Sequence, residues 1–218
     1  MHNFKLTFLF FLISFIDIIG IIFKIDSLVF LFKPFILLSL LFLYSHTVDI
    51  KNRWYVLALI FSFLGDVFLL YSGDVVFKFG LGSFLIAHLI YIGIVVKRIK
   101  KASMIRVFKA ITPFTIVVLG LLFFLKDYLN ELMIPVVIYA FTIAVFGMVS
   151  MLDYLNEKSK KAVFMLVGSI IFIVSDAVLA INKFYEGTHI YQIIVMVTYV
   201  SAQYLIYRSM ELDGKRTS

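Results

Sequence analysis

The chain has 218 residues, of which 63% are hydrophobic and 15% are charged, and its formal net charge is +7. Soluble domains are usually about 45–50% apolar and about 25% charged, so this composition excludes an ordinary water-soluble domain. The sequence contains no cysteine, which excludes disulfides, thiolate nucleophiles and cysteine-based metal sites.

Apolar stretches recur along the whole chain, each close to the length of about 20 residues that spans a bilayer. The first follows Lys5 and has no small-residue cleavage site, so we expect a membrane helix rather than a signal peptide. The pattern predicts an all-α integral membrane protein, a single polytopic domain over residues 1–218 with eight transmembrane helices. These are expected at about 4–23, 28–46, 53–72, 77–96, 107–125, 131–151, 162–182 and 189–208.

Lysine and arginine are distributed unevenly between the two sets of connections. With the N-terminus inside, fifteen basic residues lie on the inner side, four lie on the outer side, and Lys33 lies within a helix. Cytoplasmic connections are enriched in Lys and Arg, so we expect a multi-pass protein of the cell membrane with both termini cytoplasmic. The same distribution accounts for the positive net charge, and no nucleic-acid partner is expected.

Five ionisable residues interrupt the predicted helices: Asp17, Lys33, Asp66, His88 and Asp176. A charge at the centre of a membrane helix costs about 2.5–3.5 kcal/mol on insertion scales, so such residues mark pairs, cavities or functional sites. At 1.5 Å per residue, Asp66 and Asp176 both lie about 20 Å from the cytoplasmic end of their helices. The two carboxylates are therefore predicted at one depth, in the outer half of the bundle.

Small and polar side chains recur at helical spacing on the same helices, which places each set on one face. We infer a polar cavity that opens toward the outer leaflet, with Asp66 and Asp176 as its candidate catalytic residues. Lys33 and His88 are the expected neighbours of these aspartates. The other predicted contributors are Ser62, Tyr91, Ser175, Tyr199 and Gln203.

A weak internal repeat relates the third and seventh predicted helices. FSFLGDVFLL, which contains Asp66, parallels IFIVSDAVLA, which contains Asp176. The repeat suggests two parallel four-helix halves in which the two aspartates occupy equivalent positions.

Ordered motifs on predicted helices two to eight resemble those of the YhhN-like membrane proteins, the lysoplasmalogenases. Each motif alone is short, and it is their order along most of the chain that carries the resemblance. The motifs are Lys33-Pro34, Ser62-x-x-Gly65-Asp66-x-x-Leu69, Phe79-Gly80-Leu81, Ala87-His88-x-x-Tyr91, Ser175-Asp176-x-x-Leu179-Ala180-x-Asn182-Lys183-Phe184 and Tyr199-x-x-Ala202-Gln203.

The resemblance implies an eight-helix bundle that hydrolyses the vinyl ether of a lysoplasmalogen to a fatty aldehyde and glycerophospho-ethanolamine or -choline. It implies a membrane lysophospholipid as substrate, and it adds Asn182 to the supporting residues. Two carboxylates in one low-dielectric cavity favour different protonation states, which suits a reaction that needs an acid and a carboxylate. The chemistry requires neither a metal nor an organic cofactor, and the four histidines have no ligand spacing.

Three alternatives remain open from the sequence. Asp66 and Lys33 are also consistent with a purely structural ion pair, and His88 with a hydrogen-bonded packing residue. Intramembrane charges combined with a repeat are also found in proton-coupled or small-molecule transporters. A non-catalytic lipid-binding membrane protein is the third alternative. The residues do not indicate which aspartate is the acid.

Overall fold

The computed structural model of the chain describes residues 2–100 and 102–215, which contain helices and turns but no strand. Lys101 and Arg216, two of the basic residues assigned to the inner side, lie outside these ranges. A 3-10 turn at Asn130–Leu132 precedes α6. The helices are α1 (His2–Ile22), α2 (Asp26–Thr47), α3 (Arg53–Phe68), α4 (Asp74–Val96), α5 (Met104–Leu125), α6 (Met133–Asn156), α7 (Lys160–Phe184) and α8 (His189–Gly214).

Seven of the described helices, all except α3, are long and apolar enough to cross a membrane. The chain is thus a multi-pass α-helical membrane protein, and the eighth span stays a prediction. The prediction that the third helix reaches residue 72 is wrong, because α3 ends at Phe68 and a turn follows. Leu69 and Leu70 extend the apolar pattern, but Gly73 has a φ of 122°, a conformation that glycine tolerates and that starts α4.

Seven helices form a closed cycle of contacts in the order α1, α2, α3, α4, α6, α7, α8 and back to α1. The pairs α1/α2, α3/α4 and α7/α8, each consecutive in the chain, pack most extensively. Helix α5 lies outside the cycle and packs mainly on α6, with much of its surface exposed. The cycle encloses the interior in which the polar residues lie.

Glycines allow the closest approaches within this bundle. A Cβ added to Gly65 on α3 would lie 2.5 Å from the ring of Phe84 on α4, which is closer than van der Waals contact allows. Phe84 therefore packs directly on the backbone that precedes Asp66. The absence of a side chain at residue 65 sets the distance between α3 and α4 at this level.

The two ends of the bundle differ in character. The connections 23–25, 69–73, 126–132 and 185–188 form what we call the cavity end. The connections 48–52, 97–100, 102–103 and 157–159 form the opposite, basic end, where ion pairs tie helices together. Arg98 after α4 pairs with Asp153 on α6 at 3.9 Å and with Asp213 on α8 at 3.2 Å. Lys161 on α7 also pairs with Asp213, at 3.1 Å.

Candidate active site

A cavity of about 490 Å³ lies at the cavity end of the bundle. Its wall includes Asp66 from α3, Asp176 from α7 and Lys33 from α2, together with side chains from α1, α4 and α8. Both aspartates and the intramembrane lysine thus line one space. The turn that follows α3 also lines the cavity, with Tyr71, Ser72 and Gly73. Because α3 ends at Phe68 instead of continuing to residue 72, this turn is free to form part of the wall.

Asp66 is buried, and its Oδ2 accepts a hydrogen bond of 2.7 Å from the hydroxyl of Tyr199 on α8. Gln203 donates to the Tyr199 oxygen at 3.4 Å, and Tyr91 donates to the Gln203 carbonyl oxygen at 3.3 Å. Three buried side chains thus form a relay that fixes one carboxylate oxygen of Asp66. Tyr91, Tyr199 and Gln203, all predicted site residues, therefore belong to one network.

Lys33 is close enough to Asp66 and to Asp17 for its charge to act on both carboxylates. Among the described residues it forms no direct ion pair with either of them. Asp17 is fully buried on α1, and neither of its oxygens has a hydrogen-bond partner within the described chain. One cation therefore faces two carboxylates, an arrangement that differs from a closed structural ion pair of Lys33 and Asp66.

Asp176 is partly buried, and its Oδ2 accepts a hydrogen bond of 2.5 Å from the hydroxyl of Tyr139 on α6. A small apolar extension of about 40 Å³ adjoins Asp176 and shares Leu69, Phe77 and Phe84 with the main cavity. Asp66 and Asp176 interact electrostatically across the cavity. Helical periodicity places Tyr139 on the inward face of the sixth predicted helix. It was not among the predicted site residues, because most tyrosines in apolar helices belong to the core or to an interfacial belt.

Ser175 and Asn182, two further predicted residues, line the cavity and also hold its wall together. The Ser175 hydroxyl donates to the carbonyl oxygen of Val195 at 3.0 Å, which ties α7 to α8. The Asn182 side-chain oxygen accepts a hydrogen bond of 3.0 Å from the backbone N–H of Thr188, which closes the connection between these helices.

His88 and Ser62 are buried but do not line the cavity. The His88 Nδ1 lies 2.8 Å from the Phe84 carbonyl oxygen, which can only accept, so Nδ1 carries the proton. Its ring is packed among Tyr139, Phe146 and Phe172, with centroid distances of 5.7, 5.6 and 4.6 Å. His88 therefore contacts the site through Tyr139 and through Tyr91 of the Asp66 relay, and its predicted supporting role would be indirect.

The polar groups of the cavity are carboxylates, phenols, serine hydroxyls, amides and amines. No cluster of three or more His, Asp or Glu side chains able to hold a metal occurs within residues 2–100 and 102–215. Acid–base chemistry on a molecule with an apolar portion is what this donor set can perform.

Fold and cavity define a class: a multi-pass helical membrane protein with a partly apolar cavity near one end of the bundle, lined by two aspartates and two lysines. The sequence profile of the YhhN family matches residues 28–210, from α2 into α8. The chain therefore belongs to the YhhN family.

Two relatives are named lysoplasmalogenase, one from Mycobacterium bovis (strain ATCC BAA-935 / AF2122/97) and one from Mycobacterium tuberculosis (strain CDC 1551 / Oshkosh). Each is 29% identical over 166 residues, which are 74% of this chain and 62% of the relative. The match thus spans less than two thirds of the length of these relatives. No solved structure matches the chain significantly.

Proposed function

We propose that the protein is a membrane-embedded hydrolase of the lysoplasmalogenase type. It cleaves the vinyl ether of a lysoplasmalogen to a fatty aldehyde and glycerophospho-ethanolamine or -choline. The observation that carries the proposal is the pair Asp66 and Asp176 in one cavity. Family membership and the names of the two mycobacterial relatives support the same reaction.

The surroundings of the two carboxylates favour different roles. Lys33 lines the cavity with Asp66, and a nearby cation favours the ionised form of a carboxyl group. Asp176 adjoins the apolar extension, and apolar surroundings favour the neutral, protonated form of a carboxyl group. We therefore assign Asp176 as the general acid and Asp66 as the carboxylate that stabilises the cation and activates water.

The reaction then balances without any further group. The Asp176 carboxyl protonates the β-carbon of the vinyl ether, which leaves an oxocarbenium ion facing the Asp66 carboxylate. Water adds to the cationic carbon and gives its proton to Asp66, which forms a hemiacetal. The hemiacetal collapses as Asp66 protonates the glycerol oxygen and the hemiacetal hydroxyl returns its proton to Asp176. The C–O bond breaks, the aldehyde and alcohol leave, and both carboxyl groups regain their initial states.

Each tyrosine holds one oxygen of its aspartate, which leaves the other for the substrate. Tyr139 fixes Oδ2 of Asp176 and Tyr199 fixes Oδ2 of Asp66. In the proposed complex the first carbons of the alkenyl chain lie beside the apolar extension next to Asp176, and the glycerol points toward the opening of the cavity. The surrounding helices and their apolar side chains restrict the access of bulk water to the cavity. Bulk water would otherwise compete for the acid proton.

The basic end of the bundle is proposed to face the cytoplasm, with both termini on that side and all eight helices within one membrane domain. Since the chain has no cysteine, single cysteines can report its orientation. Lys158→Cys at the basic end should react with an impermeant thiol reagent only after the membrane is opened. Glu186→Cys at the cavity end should react in intact cells, and the reverse pattern would contradict the orientation.

The activity is tested with purified protein and lysoplasmenylethanolamine, with the released aldehyde as the measured product. The matched control lipid is the 1-O-alkyl analogue, which lacks the double bond that accepts the proton. If wild type releases no aldehyde yet hydrolyses another lysolipid, the substrate assignment fails. If Asp66→Asn and Asp176→Asn both retain full activity, the mechanism fails. Lipid uptake or co-purification without turnover would instead favour a transporter or a lipid-binding protein.

A further inference from the structure

A pair of opposite charges lies at the opening of the cavity, on the surface of the bundle. The Lys183 ammonium, in the last turn of α7, lies 3.3 Å from Oδ1 of Asp74, the first residue of α4. The side chains are 34% and 67% exposed. Exposed ion pairs of this kind contribute little to stability, so this pair can open at a small cost to the fold.

Lys183 is part of the cavity wall and is held at its rim. Its side chain lines the cavity together with that of Phe77, and its ammonium lies 5.2 Å from the centre of the Phe77 ring. Asp74 follows directly on Gly73, which also lines the cavity. Lys183 is therefore presented to a molecule in the cavity, and Asp74, its partner at 3.3 Å, lies beside the cavity wall.

We propose that Lys183 and Asp74 form the subsite for a zwitterionic lipid headgroup, in which Lys183 binds the phosphate and Asp74 binds the amine. The inference rests on the proposed function, because it places the headgroup of the same substrate whose vinyl ether lies at the aspartates. In the free protein the two side chains neutralise each other. A zwitterion replaces that one contact with two contacts of the same kind.

The dimensions agree with this placement. Lys183 follows Asp176 by two helical turns of α7, about 10 Å along the axis and on nearly the same face. In a lysoplasmalogen, seven bonds separate the β-carbon of the vinyl ether from the phosphorus atom. An extended chain advances about 3.5 Å for every three bonds, so these seven bonds span about 8 Å. The flexible lysine side chain covers the small remainder.

Asp74 gives the subsite its selectivity. A phosphate monoester carries more negative charge and no amine. It is therefore attracted by the Lys183 ammonium but repelled by the Asp74 carboxylate. A lipid without phosphate gains from neither residue. Discrimination by a repulsive contact as well as an attractive one is a general route to specificity. The subsite should therefore select phosphate with an attached amine over either simpler headgroup.

The test measures binding of three lipids that the enzyme cannot cleave: 1-O-alkyl lysophosphatidylethanolamine, 1-O-alkylglycerol 3-phosphate and 1-O-alkylglycerol. Lys183→Gln should weaken binding of the phosphoethanolamine lipid by about tenfold, which is the scale of one charge-assisted contact. The same variant should bind alkylglycerol with an affinity within about twofold of wild type. Asp74→Asn should weaken binding of the phosphoethanolamine lipid and strengthen binding of the phosphate monoester. The preference for the phosphoethanolamine lipid is then reduced or reversed.

Lys126→Gln is the matched control. Lys126 is another exposed lysine at the cavity end, and its ammonium lies 4.7 Å from the centre of the Phe123 ring, but it does not line the cavity. This variant should bind all three lipids as wild type does. Equal losses for all three lipids in Lys183→Gln, or unchanged selectivity in Asp74→Asn, would overturn the headgroup subsite.

The binding assay keeps this inference separate from the proposed reaction. If the variants change selectivity as expected but wild type releases no aldehyde, the proposed function fails and the subsite stands. If wild type releases aldehyde but neither variant changes selectivity, the subsite fails and the proposed function stands.

Discussion

Asp66 and Asp176 share a cavity and a motif, but their surroundings differ. Each has its Oδ2 held by a tyrosine hydroxyl. Asp66 also experiences the charge of Lys33 and ends a relay of buried polar side chains, whereas Asp176 adjoins an apolar extension. This difference supports the proposed roles of Asp66 as the carboxylate and Asp176 as the acid.

The supporting tyrosines also break the apparent symmetry of the repeat. Tyr199 comes from α8 and Tyr139 from α6, and these helices do not correspond in two four-helix halves. The two parallel halves thus stay a prediction. The equivalence that the repeat suggests for Asp66 and Asp176 does not extend to the tyrosines that bind them. An enzyme that needs two distinct groups gains from this asymmetry.

The largest expected effect comes from removing either carboxyl group. General acid–base groups contribute about 10²–10⁴-fold, so Asp176→Ala and Asp66→Ala should each lower kcat by about 10³-fold. The two variants should differ in chemical rescue. Added small carboxylic acids should restore the activity of Asp176→Ala in proportion to the concentration of their protonated form. They should restore the activity of Asp66→Ala in proportion to the concentration of their anion. Rescue of both variants by the same form would contradict the division of roles.

Removal of the lysine charge should make the two carboxylates more alike. Lys33→Met is expected to lower kcat by about 100-fold, because Asp66 loses the charge that favours its ionised form. Lys33→Arg should retain most activity. Lys78→Met is the control, since Lys78 is an exposed lysine on α4 that does not line the cavity. Wild-type kcat in Lys33→Met would show that the lysine does not distinguish the aspartates.

Loss of one tyrosine hydroxyl should have a smaller effect. Tyr139→Phe and Tyr199→Phe each remove a hydrogen bond to a carboxyl group, and about a tenfold fall in kcat is expected. Tyr55→Phe is the matched control, because the Tyr55 hydroxyl is buried without a hydrogen-bond partner in the described residues. A fall in this control equal to that in the site variants would indicate general destabilisation.

The smallest effect concerns the packing behind Asp66. Gly65→Ala would force the Phe84 ring to move, so we expect a few-fold lower kcat and a lower Tm. Gly82→Ala meets no atom within 4 Å and should raise Tm, because alanine favours a helix interior over glycine by about 1 kcal/mol. A higher Tm in Gly65→Ala, measured in the same detergent, would contradict the packing argument.

Much of this architecture could be predicted from the sequence, because a membrane helix is a long signal and a charge within it is rare. Asp66, Asp176 and Lys33 stood out for that reason, and all three line one cavity of the structure. The end of α3 could not be predicted, since hydropathy does not register the positive φ of Gly73.

The aromatic residues set the other limit of prediction. Tyr139 resembles the many core aromatics in sequence, and only the fold shows its hydroxyl beside Asp176. His88 has the spacing of a cavity residue, but neighbouring rings from α6 and α7 enclose it instead. Helical periodicity fixes the face of a side chain, while the packing of other helices decides what that face meets.

Infrared difference spectroscopy tests the division of roles most directly, because a protonated carboxyl group and a carboxylate absorb at different frequencies. Spectra of wild type, Asp176→Asn and Asp66→Asn would be compared at neutral pH in the same detergent. We expect Asp176→Asn to lose a protonated carboxyl band and Asp66→Asn to lose a carboxylate band. Loss of the protonated band in Asp66→Asn but not in Asp176→Asn would contradict this division of roles.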